Sequence, residues 1–360
     1  VISGRKQMFN LDYRPFSFDE MAGQKGIIDE MKKRSITMDF PKVMIFAGPS
    51  GTGKTTLSRI ITALLNDPNP IVHSDGTKDP NPESAISKAV MQERFMGDVS
   101  IHDASSMDKE ALIKLKQTIS MAPMYEKNRV VVIDEAQELS KAGKGATLDM
   151  LERKRSNCYI ILCTMDLDSF PPAVKDRCQI YNFRNPTPDT IFQFLFDFMN
   201  TKFPQVEATE EFFVNGLSMI ANNSYGSVRR ALQLLDRCLT AELFTVESMQ
   251  SELYLYSEER ISDLVIKVLK RDATCIQDIM KYGVSDFFYH SKRILMDAFV
   301  YKGMKVVKSG KTDALVSQLV KYTSLDSLVQ KYVDMGVFNE ELFWYTLTKF
   351  YMEKVERLPV

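Results

Sequence analysis

The sequence has 360 residues, with 46 Lys and Arg against 47 Asp and Glu, a formal net charge of -1, 44% hydrophobic and 26% charged residues. A chain of this length is expected to fold throughout as two or three domains, and its balanced charge excludes a freestanding basic nucleic-acid binder, so any polyanion must be met by a local patch. Its 5 cysteines and 3 histidines are scattered without metal-ligand spacing, and neither a secretory segment nor a run of roughly 18 apolar residues is present; a reduced, cytoplasmic setting without a protein-ligated zinc is expected.

Residues 42–47, KVMIFA, read as a short buried strand. They run into GPSGTGKTT at 48–56 and then into the helical pattern LSRIITALL. Strand, glycine-rich loop and helix in that order open a parallel α/β unit. Residues 66–83 are rich in Pro, Asp and Asn and are expected to be irregular surface chain. ISKAVMQERFM then reads as a helix and DVSIHDA as a strand. A helical pattern follows from Ser106, without a full capping box. RVVVIDEA from Arg129, YIILCTMD from Tyr159 and QIYNF from Gln179 complete a parallel-sheet ATPase block. NPTP near Asn185 marks a boundary, and short helical pieces run from there to about Leu243. Beyond residue 250, ERISDLVIKVLKRD, CIQDIMKYG, FFYHSKRILMDAFVYKGM, TDALVSQLVKY and NEELFWYTLTKFYMEKV suggest helices with wide apolar faces. The sole Trp, Trp344, lies in the last of them and reads as core or as an oligomer contact.

Gly48, Pro49, Ser50, Gly51, Thr52, Gly53, Lys54 and Thr55 satisfy GxxxxGK[ST], with Thr56 beside them. Backbone N–H groups of such a loop can surround phosphate oxygens. Lys54 would reach the β and γ phosphates, and the Thr55 hydroxyl would join a Mg²⁺ shell. Asp134 ends a buried strand where a carboxylate can hold that shell. Glu135, one residue on, can polarise an attacking water. The alternative is that the two acids merely solvate a strand tip; their occurrence together with the phosphate loop speaks against it.

Further motifs occur in a family order. YRPFSFDEMAGQ at 13–24, GPSGTGKTT, VVVIDEAQELS, ILCTMD, VKDRCQIYNF and YGSVRRAL cover about residues 10–240. With them the chain resembles AAA+ ATPase subunits of DNA polymerase sliding-clamp loaders. It is most similar to the bacterial gamma/tau subunit, with viral and replication-factor-C-type subunits close by. The resemblance implies an α/β AAA+ P-loop core over 1–184, a small helical lid over 185–245, and an all-helical collar and oligomerisation domain over 246–360. It implies ATP and Mg²⁺ as cofactors, with adenine contacts around Tyr13, Arg14, Pro15, Met21, Ala22 and Gly23. Thr164 would be the first sensor, near the γ-phosphate and the attacking water, and Arg229 the second. Arg230, turned by about 100°, faces elsewhere. The alternative from its local residues alone is that Thr164 is a strand-end hydroxyl satisfied by backbone.

Arg177, in the middle of DRC, matches the arginine finger that the family supplies to a neighbouring subunit's nucleotide. Locally it could also be a salt bridge with Asp176 or another acid. Asp176 stands where the family has Ser and adds a negative charge beside an anionic site. The second acidic motif continues DEAQ instead of DEVH or DEAD. Residues 66–100 lack cysteine, so the zinc module of gamma/tau subunits is not carried over, which leans toward a viral or divergent loader. Lys88, Arg94, Ser106 and Lys109 match the inner helices that track template phosphates, although Lys109 equally suits a solvated helix face. The implied function is ATP-driven loading of a sliding clamp onto primer-template DNA, in a pentamer with other loader subunits and alongside the replicative polymerase, with no membrane. The alternatives are another AAA+ DNA remodelling motor or helicase loader, for which no C-terminal winged-helix pattern is evident, and a nucleotide-binding but silent loader subunit.

Overall fold

The computed structural model describes residues 13–92, 97–153, 157–206, 208–253, 255, 258–269, 274–282 and 287. In chain order the sheet-bearing part runs through α1 Lys25–Thr37, β1 Val43–Ala47, α2 Lys54–Asn66, β2 Ile71–Val72, β3 Lys78–Asp79, α3 Ala85–Met91, β4 Val99–Asp103 and α4 Lys109–Ser120. It continues with β5 Arg129–Asp134, α5 Lys141–Arg153, β6 Cys158–Thr164, α6 Pro172–Lys175, β7 Gln179–Asn182 and α7 Pro188–Lys202. Five strands form one parallel sheet in the order β4-β5-β6-β1-β7.

The three middle strands are buried at every position except Asp134. Continuous apolar runs of this kind belong to strands covered on both faces. The two-residue alternation of side chains sorts them. Met44, Phe46, Val130, Val132 and Ile161 pack with Met31 of α1 and with Leu57, Ile60 and Leu64 of α2. Ile45, Val131, Ile133, Ile160 and Leu162 pack on the other face with Leu112, Leu115 and Ile119 of α4 and Met150 and Leu151 of α5. The edge strands β4 and β7 are only partly buried. The α/β core expected from the sequence is therefore present.

Two local expectations change. The segment 66–83 is not wholly irregular: β2 and β3 pair as a small antiparallel hairpin. Its turn is set by the Asp75 carboxylate, which accepts from the Thr77 N–H at 3.0 Å and hydroxyl at 2.7 Å, and by Gly76 at φ 83°. Strands of two residues leave almost no periodicity to read. The strand from Arg129 ends at Asp134, because Glu135 takes φ 47° and turns the chain into a 3₁₀ turn, Ala136–Glu138.

By contact density the chain divides into one unit of Val1–Val206 with Gly226–Ala241 and another of Glu207–Tyr225 with Glu242–Val360. These limits differ from divisions at 184 and 245, because α7 and the helix Val228–Thr240 group with the sheet. The second unit contains a π-turn at Phe212–Gly216, α8 Leu217–Asn223, α10 Val246–Leu253, α11 Glu258–Leu269 and α12 Cys275–Tyr282, while Val228–Thr240 is α9 of the first. Phe212 meets Phe244 edge-on at 5.3 Å, and Arg260 on α11 holds Asp278 on α12 at 2.7 Å. The later helical segments expected from the sequence, with Trp344, lie outside the described residues. Among the described residues no helix is long and apolar enough to cross a membrane.

Candidate nucleotide site

The glycine-rich loop leaves the middle of the sheet. Gly48 N–H donates to the Thr164 carbonyl at 3.1 Å, which fixes the loop's first residue against the end of β6. At Gly51, φ is 76° and a Cβ would overlap the Ser227 hydroxyl, so only glycine fits where the start of α9 sits on the loop. Val228 N–H donates to the Gly51 carbonyl at 3.1 Å. The helix after the loop, α2, begins at Gly53 without a side-chain cap. Its first-turn residues Lys54, Thr55 and Thr56 line a cavity of about 1130 Å³. An uncapped helix start of this kind suits an anion.

Lys54 is buried, and its ammonium donates to the carbonyls of Gly48 at 2.7 Å and Pro49 at 2.8 Å. Burial lowers its pKa from the ordinary lysine value; Arg229 adds to that, while Glu135 and Asp134 oppose it. The Thr55 hydroxyl donates to Asp134 Oδ2 at 2.8 Å, joining residues 79 positions apart. Strand order explains the meeting: β5 and β1 flank β6, all three run parallel, and so their carboxyl ends converge. The ammonium, the hydroxyl–carboxylate pair and the open helix start fit a triphosphate with a hard cation held by oxygen ligands.

Asp134 Oδ1 accepts from the Glu135 N–H at 3.0 Å, and both acids line the cavity. Glu135 Oε2 accepts from Gln137 Nε2 at 2.6 Å. Thr164 is fully buried and does not line the cavity. Its hydroxyl accepts from Asp166 N–H at 3.1 Å and has two acceptors for its one proton, the Asp166 carbonyl at 3.0 Å and Gln137 Oε1 at 3.1 Å. The local partner of the Thr164 hydroxyl is thus the backbone of Asp166, with Gln137 as an added one.

Tyr13, Arg14, Pro15, Met21, Ala22 and Gly23 line the same cavity, and Ser50, Gly51, Thr52, Gly53 and Arg229 line it as well. Tyr13 packs edge-on against Phe198 at 5.4 Å and Phe203 at 5.5 Å. Gln24 ties this segment down: its amide donates to the Arg184 carbonyl at 2.6 Å and accepts from the Arg184 N–H at 3.1 Å. Gly48 and Pro49 do not line the cavity but hold Lys54 through their carbonyls. Sequence reasoning missed the wall that α7 contributes through Thr190, Gln193, Phe194, Asp197 and Phe198. The polar pair Gln193 and Asp197, one turn apart and bonded at 2.9 Å, was the available signal in an otherwise aromatic helix.

Arg177 does not line this cavity. It follows α6, with its side chain 46% exposed, and donates to the Ala173 carbonyl at 2.9 Å. The acid it meets is Glu152 on α5, at 3.2 Å, and not Asp176. Lys88 on α3 pairs with Glu83 at 2.6 Å. Ser106 is exposed in the 3₁₀ turn Ala104–Ser106, where its hydroxyl donates to the Asp103 carbonyl at 2.9 Å. Lys109 opens α4, whose cap is Asp108 and not Ser106, since the Asp108 carboxylate accepts from the Ala111 N–H at 2.7 Å. Arg94 lies outside the described residues.

Residues 23–187 match the family model described as DNA polymerase III, delta subunit. The chain is 26% identical to DNA polymerase III subunit tau of Bacillus subtilis (strain 168) over 259 residues, 72% of this chain and 44% of that protein. It is 26% identical to DNA polymerase III subunit gamma of Buchnera aphidicola subsp. Acyrthosiphon pisum (strain APS) over 269 residues, 74% of this chain and 72% of that protein. A solved chain of a Thermotoga maritima RuvB mutant is 16% identical, with a TM-score of 0.47, covering 82% of this chain and 100% of that one. The aligned part thus spans under half the length of the Bacillus tau protein. The resemblance carried by the motifs is borne out: this chain is similar to the gamma and tau subunits of DNA polymerase III.

Proposed function

We propose that this chain binds ATP with Mg²⁺ and hydrolyses it as an AAA+ subunit acting in DNA replication, where it loads a ring-shaped sliding clamp onto primer-template DNA. The observation that carries this reading is the contact of Thr55 with Asp134 at 2.8 Å, in one cavity wall with Lys54, Glu135 and Arg229. Bound Mg²⁺-ATP supplies the phosphoanhydride to be cleaved and a cation that neutralises its charge. Lys54 and the start of α2 hold phosphate oxygens, and Thr55 and Asp134 hold the cation. Glu135 accepts the proton of the attacking water. Arg229, at the start of α9 beside Gly51, meets the phosphates from the same wall. Arg177, half exposed and away from its own cavity, serves the nucleotide of a neighbouring subunit in a pentameric assembly.

Coupling follows if nucleotide and DNA favour the same assembled arrangement, since a ligand shifts an equilibrium only by its differential affinity. The family resemblance supports the clamp, the DNA and the companion subunits as partners, a lid over 185–245 and a collar over 246–360. Lys88, Ser106 and Lys109, with Arg94, are proposed as phosphate contacts that track DNA without reading bases. The test is steady-state ATP hydrolysis by the full chain with candidate loader subunits, with and without clamp and primer-template DNA. Turnover stimulated by clamp and DNA together is expected. Stimulation by duplex ends with no dependence on a clamp would instead identify another AAA+ DNA motor, and nucleotide binding with no turnover in any assembly a silent subunit.

A further inference from the structure

Gln137 is the residue that joins the two acidic and sensor elements of the site, and no motif assigns it a role. Its half-buried amide uses both ends. Nε2 donates to Glu135 Oε2 at 2.6 Å, while Oε1 accepts from the Met165 N–H at 3.0 Å and lies 3.1 Å from the Thr164 hydroxyl. The orientation of the amide is fixed by chemistry. A backbone N–H only donates and a carboxylate only accepts, so the oxygen must face Met165 and the nitrogen must face Glu135.

The backbone is shaped for this contact. Glu135 adopts φ 47° and ψ 40°, a left-handed conformation that is strained for a glutamate. That residue ends β5 and starts the turn Ala136–Glu138, which packs against β6. Glu138 N–H closes the turn on the Glu135 carbonyl at 2.8 Å. Thr164 itself is fully buried and absent from the cavity wall, whereas Glu135 lines it. Among the described residues, the contact between the end of β6 and the Glu135 carboxylate therefore runs through the Gln137 side chain.

We propose that Gln137 is a positioning residue for ATP hydrolysis, clamping the Glu135 carboxylate to the end of β6 so that its acceptor oxygen is held in one place at the cavity wall. The proposal rests on the ATPase reading above. It accounts for the DEAQ form of the motif: a side chain at this position needs a donor for the carboxylate and an acceptor for a backbone N–H, and the amide of Gln supplies both. Asn carries the same groups on a shorter arm.

The test compares the full chain with Gln137→Met, close in shape but unable to make these hydrogen bonds, and Gln137→Glu, which presents a second carboxylate to Glu135. ATP turnover is measured with loader subunits, clamp and primer-template DNA, together with the Kd of a fluorescent ATP analogue and the melting temperature. Both variants are expected to lose kcat by roughly 10- to 100-fold, the range of one hydrogen bond to a charged group, with Kd for nucleotide unchanged. Undiminished kcat in either variant, or a fall in kcat that tracks a fall in melting temperature, would overturn the role of Gln137 alone. Absence of turnover in the unaltered chain under all of these conditions would overturn the ATPase reading, and this role with it.

Discussion

The cavity wall and the α6 edge use the same kinds of charged groups in opposite ways. In the wall, Lys54, Thr55, Asp134 and Glu135 come from two points of the sequence and meet within a single chain, held by carbonyls, by a hydroxyl–carboxylate contact and by the Gln137 amide. At the edge, Arg177 is half exposed, lies off its own cavity and rests on Glu152 and a carbonyl of its own helix. The groups of the first region hold one another around the cavity, while the half-exposed guanidinium of the second is tied to one exposed acid and one backbone carbonyl.

Four outcomes would break or sharpen this contrast. The largest belongs to the edge: Arg177→Ala is expected to lower turnover of the assembled complex by about 10³- to 10⁵-fold, while nucleotide binding by the isolated chain stays as it was. Equal loss in both measurements would show that Arg177 works inside its own protomer. Within the wall, Glu135→Gln should cut kcat by about 10²- to 10⁴-fold with nucleotide still bound; a wild-type rate would return Glu135 to the status of a solvated strand tip.

The third concerns the frame behind the wall. The Asp98 side chain is 1% exposed, pairs with Arg129 and accepts the N–H groups of Met124, Tyr125 and Glu126 at 2.7, 2.6 and 3.0 Å. Burial alone would push its carboxyl up, but those backbone donors and Arg129 outweigh it and hold the pKa below the ordinary aspartate value. Because the folded pKa is the lower one, the stabilisation is full above the unfolded value of about 3.9 and is lost as pH falls through the folded value. Asp98→Ala should cost about 3–5 kcal/mol at neutral pH by leaving Arg129 buried without its partner. Chemical denaturation at neutral pH and again in acid should show the gap closing; a gap independent of pH would mean that packing, and not charge, does the holding. The smallest effect is at Glu152→Gln, where an exposed pair contributes under about 1 kcal/mol. Freed of its tether, Arg177 should favour assembly with nucleotide by less than about 5-fold, as read by analytical ultracentrifugation, and weaker assembly would contradict the tethering role.

Much of the wall was legible because its chemistry is local. GPSGTGKTT needs only nine consecutive residues to define a loop and a helix start, and a buried run such as VVVID announces its own strand. The hairpin at 71–79 was not legible, since two-residue strands carry no period and their pairing rests on a turn and on the contact of His73 with Asp79 at 2.8 Å. The lining from α7 was hidden for another reason: its aromatic pattern speaks for burial, and the polar Gln193 and Asp197 acquire meaning only from the surface they face. DEAQ was visible as a departure from the family pattern, yet Gln137 drew no role from it, because its partners Met165 and Thr164 lie almost thirty residues away.

The sequence by itself determined the elements and the inventory of reactive groups, since strand burial, helix start and loop geometry follow from neighbours a few positions apart. Only the tertiary structure decided which of those groups touch. Parallel order places the ends of β5, β6 and β1 side by side, and this brings Asp134 to Thr55 and Gln137 to Thr164 while leaving Thr164 sealed from the cavity and Arg177 turned to Glu152. Contacts between residues remote in sequence depend on sheet order and on the packing of both faces, and no local pattern encodes either.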